Sequence, residues 1–307
     1  MVDILMATYN GEKYIGEQIN SILEQSYGNW KLIIHDDGSE DNTVEIIKSF
    51  EQKYPEKIIL LEDEIKKQGA KKNFFYLIKK SHNPYIMFAD QDDIWKKDKV
   101  YSAVKKIKIM EKKYPGIPLL LHGDLQVVDS TLNTIALSLF KMQKLEKNKN
   151  GFNDILVQNN ATGCTMICNR MLADMCTEMP DNSIMHDWWL ALIASAFGKL
   201  IYMGDAGILY RQHEKNTEGA KNVKSIKYII NKFANMSDIK KVLKLTYMQA
   251  ESFKKLYGDM LSEEKREVLE AYIKMSNTSK IEKYRIIYKY GFMKSGFERK
   301  IGYMLLV

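Results

Sequence analysis

The sequence predicts an α/β fold with a parallel-sheet first half, a mixed-sheet second half and a C-terminal helical extension. Three observations predict it. Short apolar runs alternate with helix-period segments from residue 3 to residue 89. Three of the loops that follow those runs are polar, and two of them are rich in carboxylates. Beyond about Ala220 strand signals stop, and Tyr, Ile and Lys interleave at helical spacing.

Asp3 to Thr8 reads as the first strand. Glu12 to Gln25 follows as a helix, with Tyr14, Ile15, Ile19, Ile22 and Leu23 on one face. Lys31 to His35 is the second strand. Asp41 to Phe50 is a helix with Ser39, Asp41 and Asn42 as candidate caps. Ile58 to Leu61, Ala70 to Lys80 and Tyr85 to Ala89 continue the strand, helix, strand order. Such an order implies a parallel sheet covered by helices on both faces. A helix is expected from Lys96 to Glu111. Strands are expected at Leu119 to Val128, Gly163 to Cys168, Lys199 to Met203 and Ile208 to His213. Helices are expected at Arg170 to Met175 and Asp187 to Phe197. The lysine-rich stretch 141–149 (KMQKLEKNK) reads as a mobile loop. The expected division is a domain over 1–220 and a basic amphipathic helical region over 221–307.

With 45% hydrophobic and 28% charged residues among 307, the chain has the composition of a globular protein. No apolar run reaches the length of a membrane-spanning helix. The start, MVDILMATYNG, runs straight into a strand and carries no expected signal peptide. Cys164, Cys168 and Cys176 lack metal or disulfide spacing and read as buried thiols in a reducing compartment. Charge is uneven. Residues 221–307 hold 19 Lys and Arg against 9 Asp and Glu, a net +10, whereas residues 1–220 hold 27 against 30. A basic region on a near-neutral body favours an anionic surface. Nucleic acid is not expected, because no recognised binding motif accompanies the charge.

Ligands of open α/β sheets sit beyond the strand C-termini. That rule selects Thr8-Tyr9-Asn10-Gly11, Asp36-Asp37-Gly38-Ser39 and the stretch FADQDDIW. Asp90, Asp92 and Asp93 stand within four positions of the last. Like charges that close repel, and a hard cation with oxygen ligands relieves them. Mg²⁺ commonly completes its shell with substrate phosphates, so the cluster suggests a metal-bridged diphosphate. Asp93 also suits the start of the helix that follows. No GxxxxGK[ST] and no GxGxxG occurs, which argues against a P-loop NTPase and a dinucleotide-binding Rossmann site. Tyr9 offers a face for a base, and a carboxylate at the second strand end can accept from ribose or a base N–H.

The blocks MATYNGEKYIGEQINSILEQSYGNWKLIIHDDGSEDNT and FADQDDIW resemble the inverting family 2 glycosyltransferases of GT-A fold. The block MHDWWLALIASAFGKLIYMGDAGILYRQHEKNTEGAK looks like the bacterial rhamnosyltransferases that build cell-wall rhamnans. The resemblance covers residues 1 to about 220 strongly and the basic region loosely. It implies a Rossmann-like nucleotide-binding half with a mixed sheet. It also implies roles. Thr8, Tyr9 and Asn10 line the nucleotide pocket, and Asp37, with Asp36 beside it, binds base or ribose. Lys72 falls where relatives place a basic residue near the base, and Gln68 departs from the Asn that relatives often carry. Asp90 and Asp92 match the metal-binding DxD motif, with Mn²⁺ or Mg²⁺ as cofactor. His213 resembles the late histidine that completes the metal or diphosphate site, and Arg211 is expected to assist the diphosphate. Asp187 falls at the catalytic base, although many members carry Glu-Asp where this chain has His186-Asp187. Acceptor contacts are expected around Asn159 to Thr165, including Thr162 and Gly163, and at Trp188 and Trp95.

The expected reaction is transfer of L-rhamnose from dTDP-β-L-rhamnose to a glycan on a polyprenyl diphosphate lipid, at the inner face of the cytoplasmic membrane. Stretches such as SIKYIINKF and IEKYRIIYKYGFMKSGF suit an anionic membrane surface, with homo-oligomer packing as the competing use. The nearest alternative is a UDP-hexose donor. A receiver-like Mg²⁺-binding signalling module is a further alternative, but it leaves HDWW and RQH without a role. A sugar-phosphate nucleotidyltransferase calls for a Gly-rich basic loop after the first strand, and TYNGE is not one.

Overall fold

The computed structural model describes residues 1–213 and 236–307. The expected domain boundary at 220/221 and the SIKYIINKF stretch lie outside those residues. In the first half, β1 (Val2–Thr8), α1 (Ile15–Leu23), β2 (Trp30–Asp36), α2 (Thr43–Lys53), β3 (Ile58–Leu61), α3 (Ala70–Lys80) and β4 (Tyr85–Ala89) alternate as expected. The first four strands are parallel, in the order β3-β2-β1-β4.

Then the pattern departs from expectation. After β4 comes a two-residue strand, β5 (Ile94–Trp95), and α4 (Lys99–Lys113) starts three residues later than the sequence suggests. Ile94 and Trp95, just ahead of the expected helix, are held in the sheet by antiparallel bonds to Leu209 and Ile208, and the helix begins only after the turn that follows. The second half adds β6 (Leu119–Val128), β7 (Thr134–Ala136), α5 (Leu139–Met142), α6 (Phe152–Val157), β8 (Ile167–Asn169), α7 (Arg170–Met175), α8 (His186–Phe197) and β9 (Lys199–Arg211). Residues Gly163–Thr165, expected as strand, form a 3₁₀ turn ahead of β8. The two strands expected between Lys199 and His213 are one continuous β9. Among the described residues the sheet has nine strands, and β8 and β5 pair antiparallel to their neighbours, making it mixed. The 141–149 stretch is tied down: Leu145 N–H bonds Phe140 O, and Lys149 reaches Asp154 and the Met293 carbonyl, each at 2.9 Å.

Two cores flank the sheet. One joins α1, α2 and α4 through Ile15, Ile19, Ile22, Ile47, Val104 and Ile107. The other joins α3 and α8 to four C-terminal helices, α9 (Met236–Tyr257), α10 (Glu263–Lys274), α11 (Lys280–Tyr290) and α12 (Phe297–Leu306). Trp189 is fully buried, with Phe253 at 5.5 Å and Tyr257 at 6.1 Å between ring centroids. The aromatic spacing of α9 thus serves packing against the helix that carries Asp187.

Candidate active site

Chain order and parallel pairing bring Thr8, Asp36 and Ala89 to one edge of the sheet, since Thr8 pairs Asp36 and Met6 pairs Ala89. Each following loop leaves there. Thr8 Oγ1 donates to Asp36 Oδ2 at 2.7 Å. Asp36 also accepts from Gly38 N–H and from Ser39 N–H and Oγ–H, so its carboxylate builds the turn. Asp37 is buried and accepts from Gln68 N–H at 2.8 Å and Gly69 N–H at 2.7 Å. It fastens the loop in front of α3. Asn10 closes the opposite side: its N–H reaches Ser39 Oγ and its Oδ1 accepts from Glu40 N–H. Tyr9 is left 48% exposed above this floor.

Gln91, the middle residue of the acidic motif, has a job that the sequence did not signal. Its amide bonds both sides of the Tyr9 backbone, Oε1 to N–H at 2.9 Å and Nε2 to O at 3.0 Å. The pair locks the first and fourth strand ends together.

The carboxylates are sorted by burial. Asp92 Oδ2 lies 2.7 Å from His213 Nε2, with both side chains about one-seventh exposed (14% and 16%). Asp93 is fully buried and accepts from Arg211 N–H at 3.2 Å, while its other oxygen has no protein partner. It does not cap α4, whose cap residue is Asp98. Asp90, Asp93 and the Cys164 thiol offer atoms within 4.8 Å of one another. Burial first, then the charges of Asp92 and Asp187, push the Asp90 carboxyl up to about 7. Burial and the neighbouring Asp90 and Asp92 raise Asp93 well above the carboxylate range. Burial, then Asp93 and Asp90, raise the Cys164 thiol as well, leaving it a neutral neighbour. Carboxyls crowded so closely resist ionising together, and their oxygens are donors that a hard divalent cation would hold in the ionised form.

Arg211 is the brace of this arrangement. It is 2% exposed, stacks on Tyr14 at 4.5 Å, and donates to Asp92 O, Ser130 O and Glu17. Tyr14 also carries the His213 ring at 4.8 Å between centroids. Lys99, on α4, is buried over the Trp95 ring and donates to Cys164 O at 3.0 Å.

Asp187 sits in the first turn of α8, and its charge is felt at Asp90. Its Oδ2 accepts from Gly163 N–H at 3.2 Å. A Cβ at Gly163 would lie 2.9 Å from His186 Nε2, so only glycine lets this backbone come so close. Thr162 and Gly163 therefore stand beside Asp187. Trp188 is half-buried, with its indole N–H on Ile155 O at 2.6 Å. Two expected residues lie apart from this group. Trp95 is 3% exposed and belongs to the core under β5. Lys72 is on the surface, paired with Asp181 at 2.9 Å, while its neighbour Lys71 holds the Asp181 and Ser183 carbonyls.

A profile for "Glycosyl transferase family 2" matches residues 3–168. The chain is 33% identical over 229 residues to the dTDP-rhamnosyl transferase RfbG of Shigella flexneri, covering 70% of this chain and 74% of that one. It is 32% identical over 173 residues to the UDP-Glc:alpha-D-GlcNAc-diphosphoundecaprenol beta-1,3-glucosyltransferase WfgD of Escherichia coli, covering 56% and 61%. The fold is similar to that of S. aureus TarS 1-349 in complex with UDP-GlcNAc. The TM-score there is 0.54 at 19% identity, over 81% of this chain and 66% of that one.

Proposed function

The chain belongs to glycosyl transferase family 2, and from that membership we propose that it transfers L-rhamnose from dTDP-β-L-rhamnose to a lipid-linked glycan in cell-wall polysaccharide biosynthesis. The observation that carries the transfer chemistry is the position of Asp187 in the first turn of α8, where its charge is felt at Asp90 of the carboxylate-rich sheet edge. The rhamnosyl donor rests on the similarity to RfbG. The lipid diphosphate acceptor draws on the acceptor in the name of WfgD.

In this reading the Tyr9 ring stacks on the base, and Thr8, Asn10, Asp36 and Asp37 form the floor and walls of the nucleotide pocket. Arg211 holds the Asp92 backbone in place from beneath, while Lys72 stays outside the pocket, paired with Asp181. Asp90, Asp92 and His213 would hold Mn²⁺ or Mg²⁺, which when bound offsets charge on the departing diphosphate. Asp187 takes the proton of the acceptor hydroxyl. The hydroxyl oxygen bonds the anomeric carbon as its bond to the diphosphate breaks, and the β donor gives an α linkage. The Gly163 N–H orients the Asp187 carboxylate for that role. Thr162, Gly163 and Trp188 border the acceptor.

WfgD favours a second reading, a UDP-hexose donor. A donor screen with dTDP-rhamnose, UDP-glucose and UDP-galactose, a lipid-linked acceptor, and Mn²⁺, Mg²⁺ or chelator separates them. Turnover with dTDP-rhamnose that chelator abolishes is expected. Preference for a UDP-hexose defeats the rhamnosyl reading, and chelator-resistant turnover defeats the cation.

A further inference from the structure

We propose that the hairpin of α11 and α12 is the surface by which this protein lies on an anionic bilayer. The proposal rests on the reading that the acceptor is lipid-linked, and it assigns the contact to one face. Five large apolar side chains stand in solvent there: Ile281 (69% exposed), Tyr288 (79%), Phe297 (73%), Ile301 (45%) and Leu305 (63%). Their spacing puts them on single faces. Ile281 and Tyr288 are seven apart on α11, and Phe297, Ile301 and Leu305 are four apart on α12. The opposite faces are committed inward, through Ile286, Ile287 and Tyr303. Lys280 Nζ reaches Leu305 O at 3.4 Å and Tyr284 Oη reaches Met304 O at 3.0 Å. The start of α11 therefore lies beside the end of α12, and Ile281 and Leu305 come from adjoining helix ends.

Charge selects the occupant. Residues 280–307 carry seven Lys and Arg against two Asp and Glu. Arg285, one turn from Ile281, is 77% exposed. A second copy docked by the same patch would bring two segments of net +5 together, although Lys289 and Lys300 are each paired with a glutamate, and this disfavours a symmetric dimer. An anionic headgroup layer accepts both the lysines and the apolar side chains. Among the described residues no helix is long and apolar enough to cross a membrane, so the contact is one of lying on the surface.

The test is sedimentation of the full chain with phosphatidylglycerol vesicles, beside phosphatidylcholine vesicles, for wild type and for the triple variant Ile281→Glu, Phe297→Glu, Leu305→Glu. All three sites are exposed, and a thermal melt of each protein confirms folding; the single variant Phe297→Ser gives a milder second reading. Wild type is expected to bind the anionic vesicles, with the triple variant weakened by roughly a hundredfold or more. Transfer to a water-soluble acceptor analogue should be unchanged in both variants. Equal vesicle binding by wild type and the triple variant overturns the assignment of this face while leaving a lipid-linked acceptor intact. No binding by wild type overturns the membrane contact altogether. A dimer that the triple variant converts to monomer, with no vesicle binding, shows that the face covers a second copy and overturns the proposal.

Discussion

Lowering the pH should cost this protein stability through His186, and the variant His186→Leu should remove that cost. The imidazole is 4% exposed, lies 4.0 Å from the Phe74 ring and 5.3 Å from that of Phe88, and neither nitrogen has a hydrogen-bond partner. Burial pulls its pKa from 6.5 down to about 3. Below pH 6.5 the unfolded chain takes up a proton that the folded chain refuses, so stability present above that pH is lost as pH falls. At pH 4.5 the loss is two pH units' worth, about 2.7 kcal/mol. At pH 7 the variant removes two unpartnered polar atoms, a gain of about 1–3 kcal/mol, and loses ring contacts worth about 0.5–1.5 kcal/mol. It should therefore fold as well as wild type. Urea unfolding of both proteins at pH 7 and pH 4.5 gives the comparison. Buried His122, pulled to about 4, adds a slope of the same sign to both proteins, and Asp90, pushed up to about 7, adds one of opposite sign to both. The difference between the two proteins isolates His186. If His186→Leu keeps the full wild-type slope, the imidazole is solvated or bonded in solution and the reasoning fails.

Two further substitutions probe the site. Asp187→Asn should lower transfer by about 10²–10⁴ with donor affinity unchanged, as loss of a positioned base requires; near-normal turnover would move the base elsewhere. Arg211→Lys keeps the charge but cannot reach Asp92 O, Ser130 O and Glu17 together. It should cost about 1–3 kcal/mol of stability in urea and weaken Mn²⁺-dependent nucleotide binding; wild-type values for both would show that Arg211 does not hold the Asp92 loop.

What the sequence made legible was local. Alternating periods located β1 to β4, and polar loops after them located Tyr9, Asp36, Asp37 and Asp90 at one edge. What it concealed was carried by partners far along the chain. Gln91 looks like a spacer between two acids until the Tyr9 backbone, 82 positions away, is set beside it. Trp95 resembles an exposed sugar platform, but pairing with Ile208 takes it into the core. The β9 strand looks broken because Gly204 and Gly207 interrupt its apolar pattern. Both have positive φ, 100° and 67°, and the pairing with β6 shifts register in this region, so the strand bends and continues. Arg211 reads as a free cation ready for phosphate, and only the fold reveals the carbonyls around it.

The two hydrogen bonds between the Gln91 amide and the Tyr9 backbone have a metric consequence. They fix the aromatic shelf and the paired acids as the two jaws of one caliper, because neither loop can slide without losing both amide contacts. Any ligand that touches both loops meets them at a separation set by one side-chain amide.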